Sequence, residues 1–163
     1  MSRRHETVVG RIPVLECLRA RKRAAHKLFV LDGGRGLEDI VQAAGKLPVE
    51  THARTALERL AGGAEHQGVV LHADPLPVLK LDTWLAGVQT PDALAVVLDG
   101  IEDPHNFGAI IRSAAAFQAA GVIFGKRRAA PLSTAAVKAA AGGVEHVDLV
   151  QVPNIPRALG VLK

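Results

Sequence analysis

The sequence has no tyrosine, a single tryptophan (Trp84) and four phenylalanines in 163 residues. That scarcity excludes the aromatic platforms on which common single-strand nucleic-acid binders stack bases, so any contact with nucleic acid rests on charge and shape. Cys17 is the only cysteine, which excludes a disulfide framework and a cysteine-based zinc site. Set among apolar neighbours, it reads as a small core residue. No run approaches the roughly 20 apolar residues of a membrane span. No apolar stretch follows the charged start at Arg3, so a signal peptide is not expected. A soluble protein of the reducing cytoplasm is the expectation.

Several kinds of catalytic machinery are missing as well. There is no Gly-x-Gly-x-x-Gly or Walker loop and no Gly-x-Ser-x-Gly elbow, and Ser113 and Ser133 have no His and carboxylate close by in the sequence. The seven histidines, His5, His26, His52, His66, His72, His105 and His146, form no His-x-x-x-His pair, and no metal site is expected. Nucleotide-phosphate chemistry and triad hydrolysis therefore lack their residues.

Hydrophobic residues make up 48% of the chain, enough for one ordinary core or two small ones. The net charge is +4, and the basic residues cluster. Arg3, Arg4, Arg21, Lys22 and Arg23 fall in the first 23 residues, and Lys126, Arg127 and Arg128 follow an apolar run at 122–124. Such patches suit a polyanion whose counterions are released on contact; the alternative is that each is a solvated surface.

Two α/β segments are predicted. In the first, Gly10 opens a helix with Pro13 in its first turn, ending in the basic run at 19–23. Strands at 27–31, 49–52 and 68–71 alternate with helices at 37–44 and 54–60. A stretch with prolines, 72–77, and a helix at 79–86 lead to the second segment. There, strands at 94–98, 122–124 and 147–150 alternate with helices at 106–120 and 134–141, the pattern of a parallel sheet with helical crossovers.

The strand at 94–98 runs into Asp99-Gly100-Ile101-Glu102-Asp103-Pro104-His105-Asn106-Phe107-Gly108-Ala109-Ile110-Ile111-Arg112. Helical spacing of Ile110, Ile111, Ala114, Ala115 and Phe117 puts Asn106 near an N-cap and Arg112 two turns into the helix. That is the carboxyl end of a strand, where open α/β sheets bind ligands. Free amides at Asn106 and Gly108 would favour an anion, and the planar fork of Arg112 suits a phosphate.

Read as Asn-x-Gly-x-x-x-Arg, these residues resemble the first motif of the SpoU (TrmH-type) RNA ribose 2'-O-methyltransferases. Glu65-His66-Gln67-Gly68-Val69 resembles the His-Gln-Gly signature closing the substrate-binding domain of the family's ribosomal-RNA members, and Val137 to Val147 resembles its small-residue segment, with Ala140 where serine is frequent. The resemblance implies an α/β protein in which an L7Ae/L30e-like substrate-binding domain (1–75) and a linker (76–91) precede the first half of a SPOUT-type trefoil-knot methyltransferase domain (92–163). It implies Asn106 and Arg112 as catalytic residues, Arg112 gripping the substrate phosphate and promoting loss of the ribose 2'-hydroxyl proton.

The methyl donor implied is S-adenosylmethionine, and the RNA is 23S rRNA, at a guanosine, with a homodimer as the full-length form. The family's later Gly-x-Glu and Ser-Leu-Asn-Val-Ser motifs do not occur, so cofactor-binding residues are expected beyond Lys163. His66 reads as a polar residue placed by a turn, and Glu145 as a partner for a buried donor. The competing reading is a non-catalytic RNA-binding protein whose second domain is a scaffold.

Overall fold

In the computed structural model, which describes residues 5–126 and 132–162, side chains of the strands alternate between helical layers. Arg3, Arg4, Arg127 and Arg128 lie outside the described residues. The chain divides into two units, Met1–Leu76 and Pro77–Lys163.

The first unit is a four-stranded sheet ordered β1-β4-β2-β3. Its strands are β1 (Glu6–Val9), β2 (Ala25–Leu31), β3 (Val49–His52) and β4 (Val69–Ala73), with helices α1 (Arg11–Ala20), α2 (Glu38–Ala44) and α3 (Arg54–Leu60). β4 runs antiparallel to both neighbours, and β2 pairs parallel with β3. The period of two in a strand sorts the core. Leu28, Val30, Val69 and Leu71 pack with Val14, Cys17 and Leu18 of α1 and Ile40 of α2, while Phe29 and Val70 pack with Leu57 of α3. Cys17 is thus a core residue, as its neighbours implied.

The second unit is a parallel sheet ordered β5-β8-β7-β6. Its strands are β5 (Val78–Leu79), β6 (Ala95–Leu98), β7 (Gly121–Gly125) and β8 (Asp148–Val152); its helices are α4 (Leu81–Gly87), α5 (Pro104–Ala116), α6 (Thr134–Ala139) and α7 (Ile155–Leu162). Central β7 and β8 bury Val122, Ile123, Phe124, Leu149 and Val150 almost completely, as strands covered on both faces must. Ile123 and Val150 meet Trp84 of α4 and Ile155 and Ala158 of α7. Phe124 meets Phe107 of α5 edge to face at 5.1 Å.

The stretch expected to be a linker, 76–91, is not one. It holds β5, paired with β8, and α4, whose Trp84 indole lies against the backbone of Gly121 and donates to the Ala120 carbonyl at 3.2 Å.

Candidate active site

Three residues set the geometry of α5. Pro104 occupies its first turn, where no amide hydrogen is needed. The cap is Asp103, whose carboxylate accepts from the amides of His105 (3.3 Å) and Asn106 (3.1 Å). The sequence reading put Asn106 near that position; it instead lies inside the first turn with its side chain exposed. The helix terminus is therefore already served by a carboxylate.

Gly108 corrects the expectation differently. It is buried beneath α6, where a Cβ would come within 2.3 Å of the Ala136 carbonyl oxygen and 2.9 Å of the Ala140 nitrogen. The glycine is a packing requirement, not an anion contact. Gly143 plays a similar part beside Arg112, since a Cβ there would stand 3.0 Å from the Arg112 Cα. With Phe107, Ile111 and Ala114 buried, α5 is clamped on one side and leaves Asn106 and Arg112 exposed on the other.

Six residues of helix separate those two side chains by about 9 Å along the axis and about 120° around it, so they point in different directions from the helix. His105, seven residues before Arg112, shares its face to within about 20°. Sequence reasoning missed this exposed imidazole, although its place in the Asp103-Pro104-His105 turn was visible. Lys126 is exposed at the carboxyl end of β7, its amide donating to the Val152 carbonyl at 2.9 Å. It stands at the same edge of the sheet as the start of α5. Glu145 is buried.

In the first unit the basic run separates. Arg21 ends α1 in a left-handed conformation and is exposed, and Lys22 is half-buried. Arg23 does not belong with them: it is buried, its guanidinium paired with Glu6 and donating to the Asp74 carbonyl at 3.1 Å. Its charge is spent inside the fold.

A second basic feature was not read from the sequence. An open cavity of about 730 Å³ is lined by Arg11, Arg35, Arg54, Glu58, His66 and Gln67. Gln67 takes a left-handed backbone, and its side chain accepts from the first amide of α1 at 3.0 Å. Arg11, exposed, donates to the carbonyls of Gln67 (3.1 Å) and Arg35 (2.7 Å), and buried His66 accepts the Gly68 amide on Nδ1 at 2.9 Å. The His-Gln-Gly turn is thus the hub that ties three loops around the cavity. Elsewhere on this sheet, burial, together with His5, Lys27 and His26, holds the His72 imidazole below its usual range. Hydrogen bonds from Lys27 and then His52 hold the Glu50 carboxyl below its own.

Comparison with known proteins matches both units. Residues 7–79 match the family described as RNA 2'-O ribose methyltransferase substrate binding, and residues 93–163 match the SpoU rRNA methylase family. A protein of Mycobacterium leprae named an uncharacterized tRNA/rRNA methyltransferase is 40% identical over 163 residues, covering 96% of this chain and 52% of that protein. A Mycobacterium ulcerans protein of the same description is 38% identical over 160 residues, covering 94% and 51%. The chain thus spans about half the length of the curated relatives it matches.

Among solved structures, the SpoU methyltransferase AviRb from Streptomyces viridochromogenes, in complex with the cofactor AdoMet, superposes with a TM-score of 0.72 at 24% identity, covering 96% of this chain and 58% of that one. An AdoMet-bound rRNA methyltransferase from Sinorhizobium meliloti gives 0.70 at 21% identity, covering 98% and 59%. With a substrate-binding unit followed by a methylase unit, each matched over nearly its whole sheet, the chain belongs to the SpoU family of RNA methyltransferases.

Proposed function

We propose that the full-length protein is an S-adenosylmethionine-dependent RNA ribose 2'-O-methyltransferase, with 23S rRNA as its substrate and a guanosine as its target nucleoside. The observation that carries the reading is the clamped α5, which holds Asn106 and Arg112 exposed on a helix that starts at the carboxyl edge of a parallel sheet. Arg112 offers a permanent charge with fork geometry to the substrate's backbone phosphate, and next to it the ribose hydroxyl sheds its proton more readily. Asn106 arranges the same substrate from the first turn. The nucleophile is the RNA's own oxygen, so the protein's task is to position and desolvate it.

The ribosomal preference is supported by the first unit, which matches a substrate-binding family. RNA contacts there are assigned to Arg21 and Lys22, and to the cavity around Arg11, Arg35 and Arg54; at the second unit they are assigned to Lys126. Arg3, Arg4, Arg127 and Arg128 extend these patches in the sequence. A homodimer in the cytoplasm completes the reading, and among the described residues no helix is long and apolar enough to cross a membrane.

Among the described residues, the second unit holds a small cavity apart from Asn106 and Arg112. That cavity, about 330 Å³ among Trp84, Thr90, Ala120 and Asp148, lies at the amino ends of β7 and β8, away from the start of α5. No residue of this lining is assigned to the cofactor; the RNA side of the reaction is assigned to Asn106 and Arg112.

The test is methyl transfer by the full-length protein to transcribed 23S rRNA, with the product mapped by nuclease digestion and mass spectrometry. A 2'-O-methylguanosine is expected. Tight RNA binding without methyl incorporation would favour the scaffold reading instead.

A further inference from the structure

The histidines that sequence spacing keeps apart are partly gathered by the first sheet. β4 lies between β1 and β2, and Ala73 near its end is opposite both Glu6 and Ala25. One step beyond those pairs stand His5, just before β1, and Asp74, just after β4. On β2 the register shifts between Ala25 and Lys27, so His26 sits in a bulge, the device by which a strand re-aims one side chain.

Three strands thus bring His5, His26 and Asp74 to one end of the sheet. One ligand atom from each lies within 4.8 Å of the others, and His26 Nε2 is 2.7 Å from Asp74 Oδ1. The frame beneath them is fixed. The Asp74 amide donates to the Ala24 carbonyl at 2.8 Å, and the Asp74 carbonyl accepts from Arg23 at 3.1 Å. The His5 ring is tilted against His26 with centroids 4.5 Å apart and stacks parallel to His72 at 6.2 Å. The nearby cations are matched by carboxylates, Arg23 by Glu6 and Lys27 by Glu50.

From this arrangement we propose that His5, His26 and Asp74 form a binding site for a divalent transition-metal ion of the zinc class. Two imidazoles and one carboxylate are a borderline donor set, suited to zinc rather than to magnesium or calcium, which take oxygen ligands. Tetrahedral zinc with bonds near 2.0–2.1 Å places its ligand atoms about 3.3 Å apart. His26 Nε2 and Asp74 Oδ1, hydrogen-bonded at 2.7 Å, reach that spacing by opening about 0.6 Å when the ion replaces the shared proton, and exposed His5 reaches it by side-chain rotation. A fourth position stays open to water. The bound ion cross-links the start of edge strand β1 to β2 and β4, a staple on a unit near the size at which a core alone is marginal.

The experiment uses the chain without a polyhistidine tag. Zinc titrated calorimetrically is expected to bind at one equivalent per chain with micromolar affinity and to raise the thermal midpoint, an increase that a chelator reverses. Cobalt(II) should give the visible absorption of a tetrahedral site. Losing even an outer-shell partner costs about 10–100-fold in metal affinity, so His5→Gln and His26→Gln should each weaken binding by at least about tenfold. His5→Gln is the decisive variant, since its exposed side chain lets the fold stand without it. No saturable zinc binding below about 100 μM, a limit of about −5.5 kcal/mol, would overturn the proposal. So would binding that persists unchanged in His5→Gln with His26→Gln.

Discussion

Gly108 and Asn106 show how differently two residues of one short motif are constrained. A methyl group at Gly108 meets backbone of α6, which cannot swing aside, so Gly108→Ala should destabilise the second unit by about 1–3 kcal/mol through overpacking. Urea unfolding followed by the fluorescence of Trp84, the only tryptophan and buried in that unit, measures it. Asn106→Ala should leave stability nearly unchanged, because the capping carboxylate belongs to Asp103. Asp103→Ala should cost about 1 kcal/mol.

The sequence displayed this motif in full but not this division of labour. Asp103 and Asn106 are both favoured caps, and the choice between them was made by Pro104, which pre-sets the first turn one residue after Asp103. Arg23 is a similar case. Three basic residues in a row look alike on paper, yet the approach to β2 turns the third inward onto Glu6.

Among the elements, long apolar runs were legible and short partners were not. β7 and β8 announce themselves by Val122, Ile123, Leu149 and Val150. β1 is four residues beside a charged terminus, and β5 only two, with Val78 exposed; both exist because a neighbouring strand pairs with them, which no local pattern encodes. The helix expected at 79–86 is α4, but its packing into the second unit, with Trp84 seated on Gly121, was not legible.

The end of α1 carries a prediction of its own. Replacing Arg21 and Lys22 by alanine should flatten the dependence of log K for RNA on log salt by about 2 units, one per phosphate contact. Adding Arg23→Ala should not flatten it further but should lower the thermal midpoint, since it leaves Glu6 without that partner. A slope unchanged by the double substitution would make the run an ordinary solvated surface.

At the scale of the molecule, each unit has a sheet and a core of its own, and each matches a family of its own. The alternation of strands and helices made this division readable, whereas the arginine-lined cavity did not show, because Arg11, Arg35 and Arg54 are far apart in the sequence and line one cavity only in the fold. The 163-residue chain by itself should show no saturable binding of S-adenosylmethionine at micromolar concentration in calorimetry. Its second unit has a cavity of about 330 Å³ at the edge opposite the start of α5, and binding there would mean that the described residues already form the cofactor site.

The central claim is that Arg112 acts on the reacting ribose rather than simply holding RNA. A contact that matters most as the hydroxyl loses its proton lowers kcat when removed, whereas uniform binding raises KM alone. The direct measurement is methyl transfer by full-length Arg112→Ala at saturating RNA, with the RNA dissociation constant and the thermal midpoint determined on the same sample. A fall in kcat of at least about 100-fold, equivalent to about 2.7 kcal/mol, with RNA affinity changed far less and the fold intact, is the expected result, and Arg112→Lys should recover only part of the rate. Near wild-type turnover by a folded Arg112→Ala protein would contradict the account.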